Sequence, residues 1–515
     1  HGRSRTFSAW YWIGAADDPL AAIQQASAGP LPSDAQGTLL DARVAKVLEE
    51  TRRAIEARLP SALSTRRGLL GLWRVSVAER LLALGQTMSV DSVSQFLNTG
   101  QLPGLFILDR GDLGLMVRRV QHGPNDHGLA LQSLHDLKTK QELLSDRSPP
   151  LLEITLRQLS TGKRVHLTSQ SGWEKIEVFT HEESVESKTQ PIKWTDLVAN
   201  FTEPIEAKAS GLGVQLTVSD WGNEALSAWV RVYDLDLDWS VQDVVFPQVA
   251  LRATSDEMAS LFPRGPGEVR RGVWKDDFQF KGRYPSGWTA MQFLACYDEK
   301  VGTGLYVGLL EQQATTKEIR LLGRAERRDV LLAFAHPAPN PGERQFGLGT
   351  PPAWLRLVRG DWYDAAVMYR RGVREVADWF PDLPGRPDTP LWMRELPAWV
   401  CTGGDPAAVV ERMKGFQKWL GVPVGIHWYS WHRNPFDNDY PHYLPPREGF
   451  AQAVRELQRH NVRVMPYING RLWDTRDKGT EDAEFTRTAL PAATKDEHGK
   501  PFTEVYGSKE SDGSP

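Results

Sequence analysis

Two cysteines, Cys296 and Cys401, are all that the 515-residue chain contains. A framework of several disulfides and a four-thiolate zinc site are therefore excluded, although a single bridge is arithmetically possible. The chain also lacks an excess of positive charge, because 61 Lys and Arg residues face 65 Asp and Glu residues and the net charge is -4. We therefore expect no nucleic-acid partner. No apolar run approaches the roughly 18 residues that cross a bilayer, so we expect no membrane span.

Sequence signatures of several enzyme classes are missing as well. The chain has no GxxxxGK[ST], no GxGxxG after a strand, no HExxH and no GxSxG, so we predict no nucleotide cofactor or other cofactor. His427, His432 and His442 lie near Asp437 and Asp439 in the sequence. Their spacing matches no metal-ligand pattern, so we predict no metal site.

Tryptophan is unusually frequent in this chain. Its 19 Trp residues outnumber 18 Phe and 12 Tyr, and they occur beside 44 Gly and 34 Pro. This mixture predicts loop-rich β structure with aromatic surfaces. At roughly 150 residues per domain the length predicts about three domains.

Hydrophobic periodicity divides the first 380 residues into two parts. Residues 1–105 form a helical or mixed segment, in which apolar spacing over residues 38–84 predicts two helices separated near Pro60. Residues 106–380 alternate between apolar and polar positions in short runs, which predicts a large antiparallel two-sheet β-sandwich. The predicted strands are 152–159, 163–169, 213–221, 226–237, 291–298 and 304–310.

An amphipathic helix over residues 361–380 closes this predicted sandwich. Its apolar stripe consists of Ala365, Met368, Tyr369, Val373, Val376 and Trp379. A proline-rich linker follows at residues 381–395.

The pattern changes after the linker, over residues 396–515. Strands at 396–402, 422–431 and 462–470 alternate with helices at 405–420 and 447–459. Short connections between strand, helix and strand predict parallel pairing. Open α/β sheets and (β/α)8 TIM barrels both begin in this way.

Aromatic and polar side chains follow each of these three strands, where parallel architectures place their sites. Aromatic faces suit the C–H faces of a sugar ring, and carboxylates and amides suit its hydroxyls. The predicted substrate-binding residues are Trp399, His427, Trp428, Trp431, Asp437, Tyr467, Asn469, Trp473 and Asp474. No residue is assigned as catalytic, and Asp474, Asp437 and Asp439 are weak candidates.

Four segments carry a resemblance to a known family. They are YPSGWTAMQFLACYD (284–298) with GLYVGLLE (304–311), GDWYDAA with MYRR (360–371), GIHWYSWHRNPFDNDYP (425–441) and VRVMPYINGRLWD (462–474). Together they resemble uncharacterised bacterial glycoside-hydrolase-like proteins that carry a galactose-mutarotase-like β-supersandwich ahead of a (β/α)8 barrel. That family is similar to melibiase-type α-galactosidases, the α-glucosidase and α-xylosidase group, and endo-α-N-acetylgalactosaminidases.

The resemblance implies a glycosidase that hydrolyses an α-linked oligo- or polysaccharide, with retention, by means of two carboxylates. It also favours a secreted or periplasmic location. Three strands cannot close a barrel of eight, so we expect a second chain or a further segment to complete it and to supply the catalytic carboxylates beyond residue 515.

Two alternatives stay open at this stage. One is a carbohydrate-binding protein with a degenerate barrel. The other is a mutarotase-like epimerase on the sandwich, for which His122, His127 and His166 are the candidate histidines.

Overall fold

The computed structural model describes residues 36–57, 65–83, 88–186, 191–222, 225–340, 343–380, 388–434, 440–474, 484–496 and 498–503. The chain forms two compact units, His1–Phe380 and Pro381–Pro515.

Three helices precede the first strand of the N-terminal unit: α1 Gln36–Glu56, α2 Thr65–Ala83 and α3 Val90–Thr99. The helical pattern over residues 38–84 corresponds to α1 and α2, while Pro60 lies outside the described residues. The sequence pattern does not predict helix α3. Ser89 caps its start by accepting the backbone N–H of Ser92 at 3.0 Å, and Gly100 ends it with φ +73°.

Twenty strands and one short 3-10 helix, Ile205–Ser210, follow. The strands are β1 Leu105–Leu108, β2 Leu113–Gly123, β3 Asp126–Asp136, β4 Gln141–Glu142, β5 Glu153–Gln158, β6 Arg164–Thr168, β7 Trp173–Val185, β8 Ile192–Pro204, β9 Gly213–Asp220, β10 Ala225–Tyr233, β11 Trp239–Arg252, β12 Ala259–Phe262, β13 Glu268–Arg271, β14 Gln279–Tyr284, β15 Phe293–Asp298, β16 Thr303–Leu309, β17 Lys317–Arg324, β18 Asp329–Pro337, β19 Leu348–Gly349 and β20 Ala353–Leu357.

These strands form two antiparallel sheets in the described part of the chain. One has 14 strands in the order β1-β2-β3-β7-β8-β9-β10-β20-β16-β15-β12-β13, with β4 beside β3 and β19 beside β10. The other has six, in the order β14-β17-β18-β11-β5-β6. The main core draws Leu115 and Leu216 from the large sheet and Leu156, Val244 and Leu332 from the small one. The predicted antiparallel sandwich is therefore confirmed.

One strand is shorter than its pattern predicts. The apolar alternation of residues 226–237 continues to Leu237, but β10 ends at Tyr233. Asp234 adopts a positive φ of 59°, which takes the chain out of the extended conformation, and Leu237 is 78% exposed.

The N-terminal helices share a core with β2 and β3. The indole N–H of Trp73, on α2, donates to Ser133 Oγ at 2.7 Å, and its ring stacks on His135 at 6.0 Å. A Cβ at Gly114 would lie 2.7 Å from the Trp73 ring, so only glycine fits beneath the indole. The helical segment therefore belongs to the same compact unit as the sandwich.

Helix α4, Trp362–Val376, closes the N-terminal unit. A capping box starts it, because Asp361 accepts the Tyr363 N–H and Asp364 accepts the Asp361 N–H. Ala365, Tyr369 and Val373 are buried as predicted. Trp379 lies beyond the end of the helix and is 42% exposed, so its place in the predicted stripe is wrong.

The C-terminal unit contains a parallel three-stranded sheet. Its elements are α5 Leu391–Arg394, β21 Trp399–Gly403, α6 Pro406–Leu420, β22 Val424–Tyr429, α7 Phe450–Arg459, β23 Val462–Pro466, a π-helical turn Phe485–Ala489 and α8 Leu490–Ala492. The strand order is β21-β22-β23 and both pairings are parallel. The described residues form an open sheet, and a closed barrel is not shown.

Helices α6 and α7 pack on one face of this sheet. Val409 and Met413 of α6 and Leu457 of α7 share a core with Ile426 and Trp428 of β22. Asp405 caps α6 by accepting the Ala408 N–H at 3.0 Å. These strand, helix and strand repeats place the three strand ends side by side.

Candidate functional site

The second face of the parallel sheet is not covered by α6 and α7. Successive strand residues point to opposite faces, so Ile426 faces the helices while its neighbours in sequence face away from them. The strand register pairs Cys401 with His427, and His427 with Met465. We call this side, formed by Trp399, Cys401, His427, Tyr429, Met465 and the following Tyr467, the open face. Trp399 is 38% and Met465 42% exposed.

Trp399 lies flat over a glycine of the neighbouring strand. A Cβ at Gly425 would be only 2.4 Å from the indole ring, so a larger residue would displace the ring. The close approach holds the indole along the open face. The predicted sugar contact of Trp399 stays a prediction, and its partly exposed ring is compatible with it.

Three aromatic rings meet where β22 and β23 end. Tyr429 and Tyr467 stack with ring centroids 4.4 Å apart and planes 15° from parallel. His427 lies 4.7 Å from the Tyr429 ring and 5.8 Å from the Tyr467 ring. Tyr429 is not among the residues predicted from the sequence. Its position two residues after His427 on the same strand is the signal that identifies it.

Two of the predicted sugar contacts require correction. Trp428 is fully buried on the helix side, where its ring packs against Phe450 and its N–H donates to Gly404 O at 3.3 Å. Trp431 is 8% exposed, and its N–H donates to Tyr467 O at 2.7 Å. Strand alternation places Trp428 in the core, and Trp431 instead holds the backbone of Tyr467.

The loop after β23 is built around Asn469. Its side-chain oxygen accepts the N–H groups of Arg471 and Leu472 at 2.8 and 3.0 Å, and its own N–H donates to the Tyr443 hydroxyl. Asn469 therefore shapes the loop with the amide oxygen that the prediction assigns to the sugar. Trp473 and Asp474 follow, each half-buried, and the Asp474 N–H donates to Tyr440 O at 3.0 Å.

The described loops after the strands, residues 404–405, 430–434, 440–449 and 467–474, contain three carboxylates. They are Asp405, which caps α6, Glu448, which lies two residues before α7, and Asp474. Asp437 and Asp439 lie outside the described residues. Asp474 is therefore the one predicted catalytic candidate that lies in the described loops.

In the described residues, no group of three or more His, Cys, Asp or Glu side chains could hold a metal ion. His432 is buried beneath the Tyr443 ring, and desolvation lowers the pKa of its imidazole. None of the helices that the structure describes has the length and hydropathy needed to cross a membrane.

The sandwich histidines do not follow the epimerase expectation. His122 and His127 lie on the 14-stranded sheet, whereas His166 lies on the six-stranded one, where it contacts Thr155. A closer pairing of imidazole and carboxylate occurs at His181. Its Nε2 is 3.1 Å from Glu183 Oε1 and 3.9 Å from Asp196 Oδ2. Only cross-strand pairing of β7 with β8 brings Asp196 to His181.

Comparison with known proteins adds sequence similarities. Residues 352–514 match the model of a domain of unknown function, DUF6259, which covers less than half of the chain. A Bacteroides thetaiotaomicron protein named "Putative glycoside hydrolase" is 27% identical over 305 residues, 58% of this chain and 43% of the relative. A Monosiga brevicollis protein named "Putative glycoside hydrolase 22789" is 32% identical over 251 residues, 42% of this chain and 20% of the relative.

The chain thus spans less than half the length of these curated relatives. The similarity supports the resemblance to glycoside-hydrolase-like proteins at this coarse level. It does not distinguish among the related groups.

Among solved structures, the α-N-acetylgalactosaminidase NagBb from Bifidobacterium bifidum is similar with a TM-score of 0.48 and 12% identity, over 77% of this chain and 63% of that one. The GH36 α-galactosidase AgaA from Geobacillus stearothermophilus gives a TM-score of 0.36 and 9% identity, over 75% and 58%. Scores this low do not establish a shared fold, and the functional proposal does not depend on them.

Proposed function

We propose that this chain supplies the β-sandwich and the first three strands of a (β/α)8 barrel in a glycoside hydrolase that acts on an α-linked oligo- or polysaccharide. The observation that carries the proposal is the open face, where a parallel sheet gathers aromatic rings at the carboxyl ends of its strands. Enzymes with parallel β/α architecture place their sites at these ends. The names of the sequence relatives support the same class.

In the proposed sugar subsite, the Tyr429–Tyr467 pair at the ends of β22 and β23 supplies aromatic surface for the C–H faces of a pyranose. Trp399 begins β21, at the opposite end of the strands, so its predicted sugar contact is not part of this subsite. His427 lies beside both tyrosines and carries a ring nitrogen that suits a sugar hydroxyl. We retain Asp474 as the proposed hydroxyl acceptor after β23. Trp428 and Trp431 act behind this surface, since their indoles are buried and bond to backbone carbonyls.

We further propose that additional β/α units, from the same polypeptide or a second chain, cover the open face and close the barrel. In the described residues, β21 and β23 each pair with one strand only, so each presents an unpaired edge. Exposed edges and apolar side chains such as Trp399 and Met465 favour association with further strands. The two curated relatives are much longer than the part that this chain matches.

The proposed chemistry is a double displacement with retention of anomeric configuration. One carboxylate attacks the anomeric carbon while a second protonates the leaving oxygen, and the same second group then activates water; the two lie about 5 Å apart. We assign both carboxylates to the additional strands. The residues of this chain orient the sugar and exclude water from one side of it.

The test uses a polypeptide that includes this chain and the segment encoded after it, with a panel of 4-nitrophenyl α-glycosides. Replacement of either ring of the subsite, in Tyr429→Ala or Tyr467→Ala, is expected to lower kcat/KM by about tenfold to a hundredfold, because each loses a stacking surface. Trp419→Ala is the matched control, since Trp419 lies on α6 and is 78% exposed. An equal effect of all three variants would contradict the subsite.

Proton NMR at early reaction times distinguishes the stereochemical outcomes. An α-anomer as first product is expected from an α-glycoside, and a β-anomer would exclude the retaining mechanism. Binding of saccharides without turnover of any glycoside would instead favour the carbohydrate-binding alternative.

A further inference from the structure

A cavity of about 210 Å³ lies in the N-terminal unit, on the face of β2 and β3 that the helices cover. Arg118 and His122 of β2 line it together with Gln132 of β3. Arg80 enters from α2, seven residues after Trp73, so both side chains point from the helix toward the sheet. The polar lining is completed by Asp146, Arg147, Ser148 and Gln170.

Two polar groups of the lining lack partners. Gln132 is 8% exposed, and its side-chain oxygen is buried without a hydrogen bond. A register shift between Met116 and Val117 leaves Gln132 unpaired between Leu131 and Ser133. The Nε of Arg118 is likewise buried without a partner. An unsatisfied buried polar group costs about 1 to 3 kcal/mol, so the fold retains both at a cost.

Arg80 is only partly satisfied. Its Nη2 donates to Ser145 O at 2.8 Å and lies 3.6 Å from Asp146, an exposed carboxylate that also pairs with Arg252. Its Nη1 is buried without a hydrogen bond and lies 3.9 Å from Glu142.

The charge of the cavity is positive on balance. Three guanidinium groups, those of Arg80, Arg118 and Arg147, line it with one carboxylate, that of Asp146. Desolvation lowers the pKa of Arg118, because burial disfavours the charged guanidinium.

We propose that this cavity binds a small hydroxylated carboxylate, such as a single uronic acid. The carboxylate would lie between the guanidinium groups of Arg80 and Arg118, and the amide of Gln132 would bond a ring hydroxyl. At about 30 Å³ per water its volume equals that of roughly seven waters, which is space for a single sugar ring. The site is separate from the open face and does not depend on the proposed hydrolase activity.

Titration calorimetry on the intact chain tests this site with D-glucuronate. D-glucose is the matched neutral probe, because it keeps the ring and hydroxyls but has no carboxylate, and inorganic phosphate tests for an anion site without hydroxyl recognition. We expect glucuronate to bind and the other two to bind at least about tenfold more weakly.

Arg118→Met and Gln132→Met remove the two unpartnered groups. Each is expected to weaken glucuronate binding by about tenfold to a hundredfold without lowering the melting temperature, because neither group has a partner to lose. Arg327→Met, at an exposed turn between β17 and β18, is the control and should leave binding unchanged. No glucuronate binding, equal binding of glucose or phosphate, or wild-type affinity in both cavity variants would overturn the proposal.

Discussion

Cys401 and His427 occupy paired positions on neighbouring parallel strands, so both side chains lie on the open face of the C-terminal unit. Cys401 is exposed, whereas Cys296 is buried in the core of the sandwich. Both are free thiols, so the single bridge that the sequence allows is absent. The reactivity of Cys296 therefore depends on the sandwich core, and that of Cys401 depends on the exposure of the open face.

Alkylation by iodoacetamide is expected to distinguish these thiols. Burial raises the pKa of Cys296 to about 12, so its thiolate is scarce at pH 8, whereas Cys401 should react readily. Peptide mass spectrometry after a timed reaction measures both. If further strands cover the open face, Cys401 should react at least about tenfold more slowly in the extended polypeptide. Equal rates in the two proteins would contradict that covering.

Arg359→Met tests a buried ion pair in the sandwich. Burial by itself raises the pKa of Asp136, but hydrogen bonds from Arg359, Thr139 and Thr303 outweigh it and the net pKa is lowered. Removal of the Arg359 guanidinium leaves the buried Asp136 carboxylate without this ion pair. We therefore expect a loss of about 3 kcal/mol in the unfolding free energy at pH 7.

Urea denaturation of wild type and variant measures this loss. A lowered folded-state pKa gives stability that is present above the unfolded pKa and lost as pH falls through the folded one. The difference between the two proteins should therefore shrink below about pH 4. Arg327→Met, an exposed arginine, is the control. A difference that stays constant with pH would contradict the ionic origin.

The pKa of Asp220 is shifted in the opposite direction to that of Asp136. Burial raises the pKa of its carboxyl to about 6, although the N–H groups of Gly222 and Arg110 donate to it at 2.9 and 2.6 Å. Between about pH 4 and 6 the folded state then binds more protons than the unfolded state, so its stability falls as pH rises.

Asp220→Asn should remove this dependence. The wild-type minus variant difference in unfolding free energy is expected to decline between about pH 4 and 6 and to level off outside that window. Glu326→Gln, an exposed residue of the turn between β17 and β18, is the matched control. A flat difference across this range would show that Asp220 does not titrate there.

The variants Trp428→Ala and Trp399→Ala compare the stability cost of losing a buried and a partly exposed tryptophan from the same sheet. Trp428 is fully buried among α6, α7 and β22, so its loss should cost about 3 to 5 kcal/mol through the cavity that it leaves. Trp399, on the exposed side, should cost about 1 kcal/mol or less. Urea denaturation of the C-terminal unit compares the two, and a larger loss for Trp399 would contradict the assignment of faces.

Local patterns in the sequence identified part of the elements and their types. The alternation of LEITLRQL predicts β5, and the apolar stripe after Asp361 predicts α4. Hydrophobic periodicity gave the wrong end for β10, because the positive φ of Asp234 ends the extended conformation there. It also did not predict α3, whose ends depend on Ser89 and Gly100.

The site was only partly predictable. The sequence predicts His427 and Tyr467 as site residues, and only the structure shows that their ring centroids lie 5.8 Å apart. It does not tell whether an indole faces helices or the open side, which is why Trp428 was assigned to the sugar. Strand alternation would have placed Tyr429 on the same face as His427, but its stacking on the Tyr467 ring is visible only in the structure.

The sequence by itself determined the classes of element, the antiparallel sandwich, the parallel repeat that follows it and the absence of nucleotide-binding motifs, because these depend on periodicity and local residue types. Only the tertiary structure decided which aromatic residues share a surface, which histidine meets a carboxylate, and that Arg80, Arg118 and Gln132 surround one cavity. These groups come from different strands and helices, and long-range packing, which leaves no local period in the chain, brings them together.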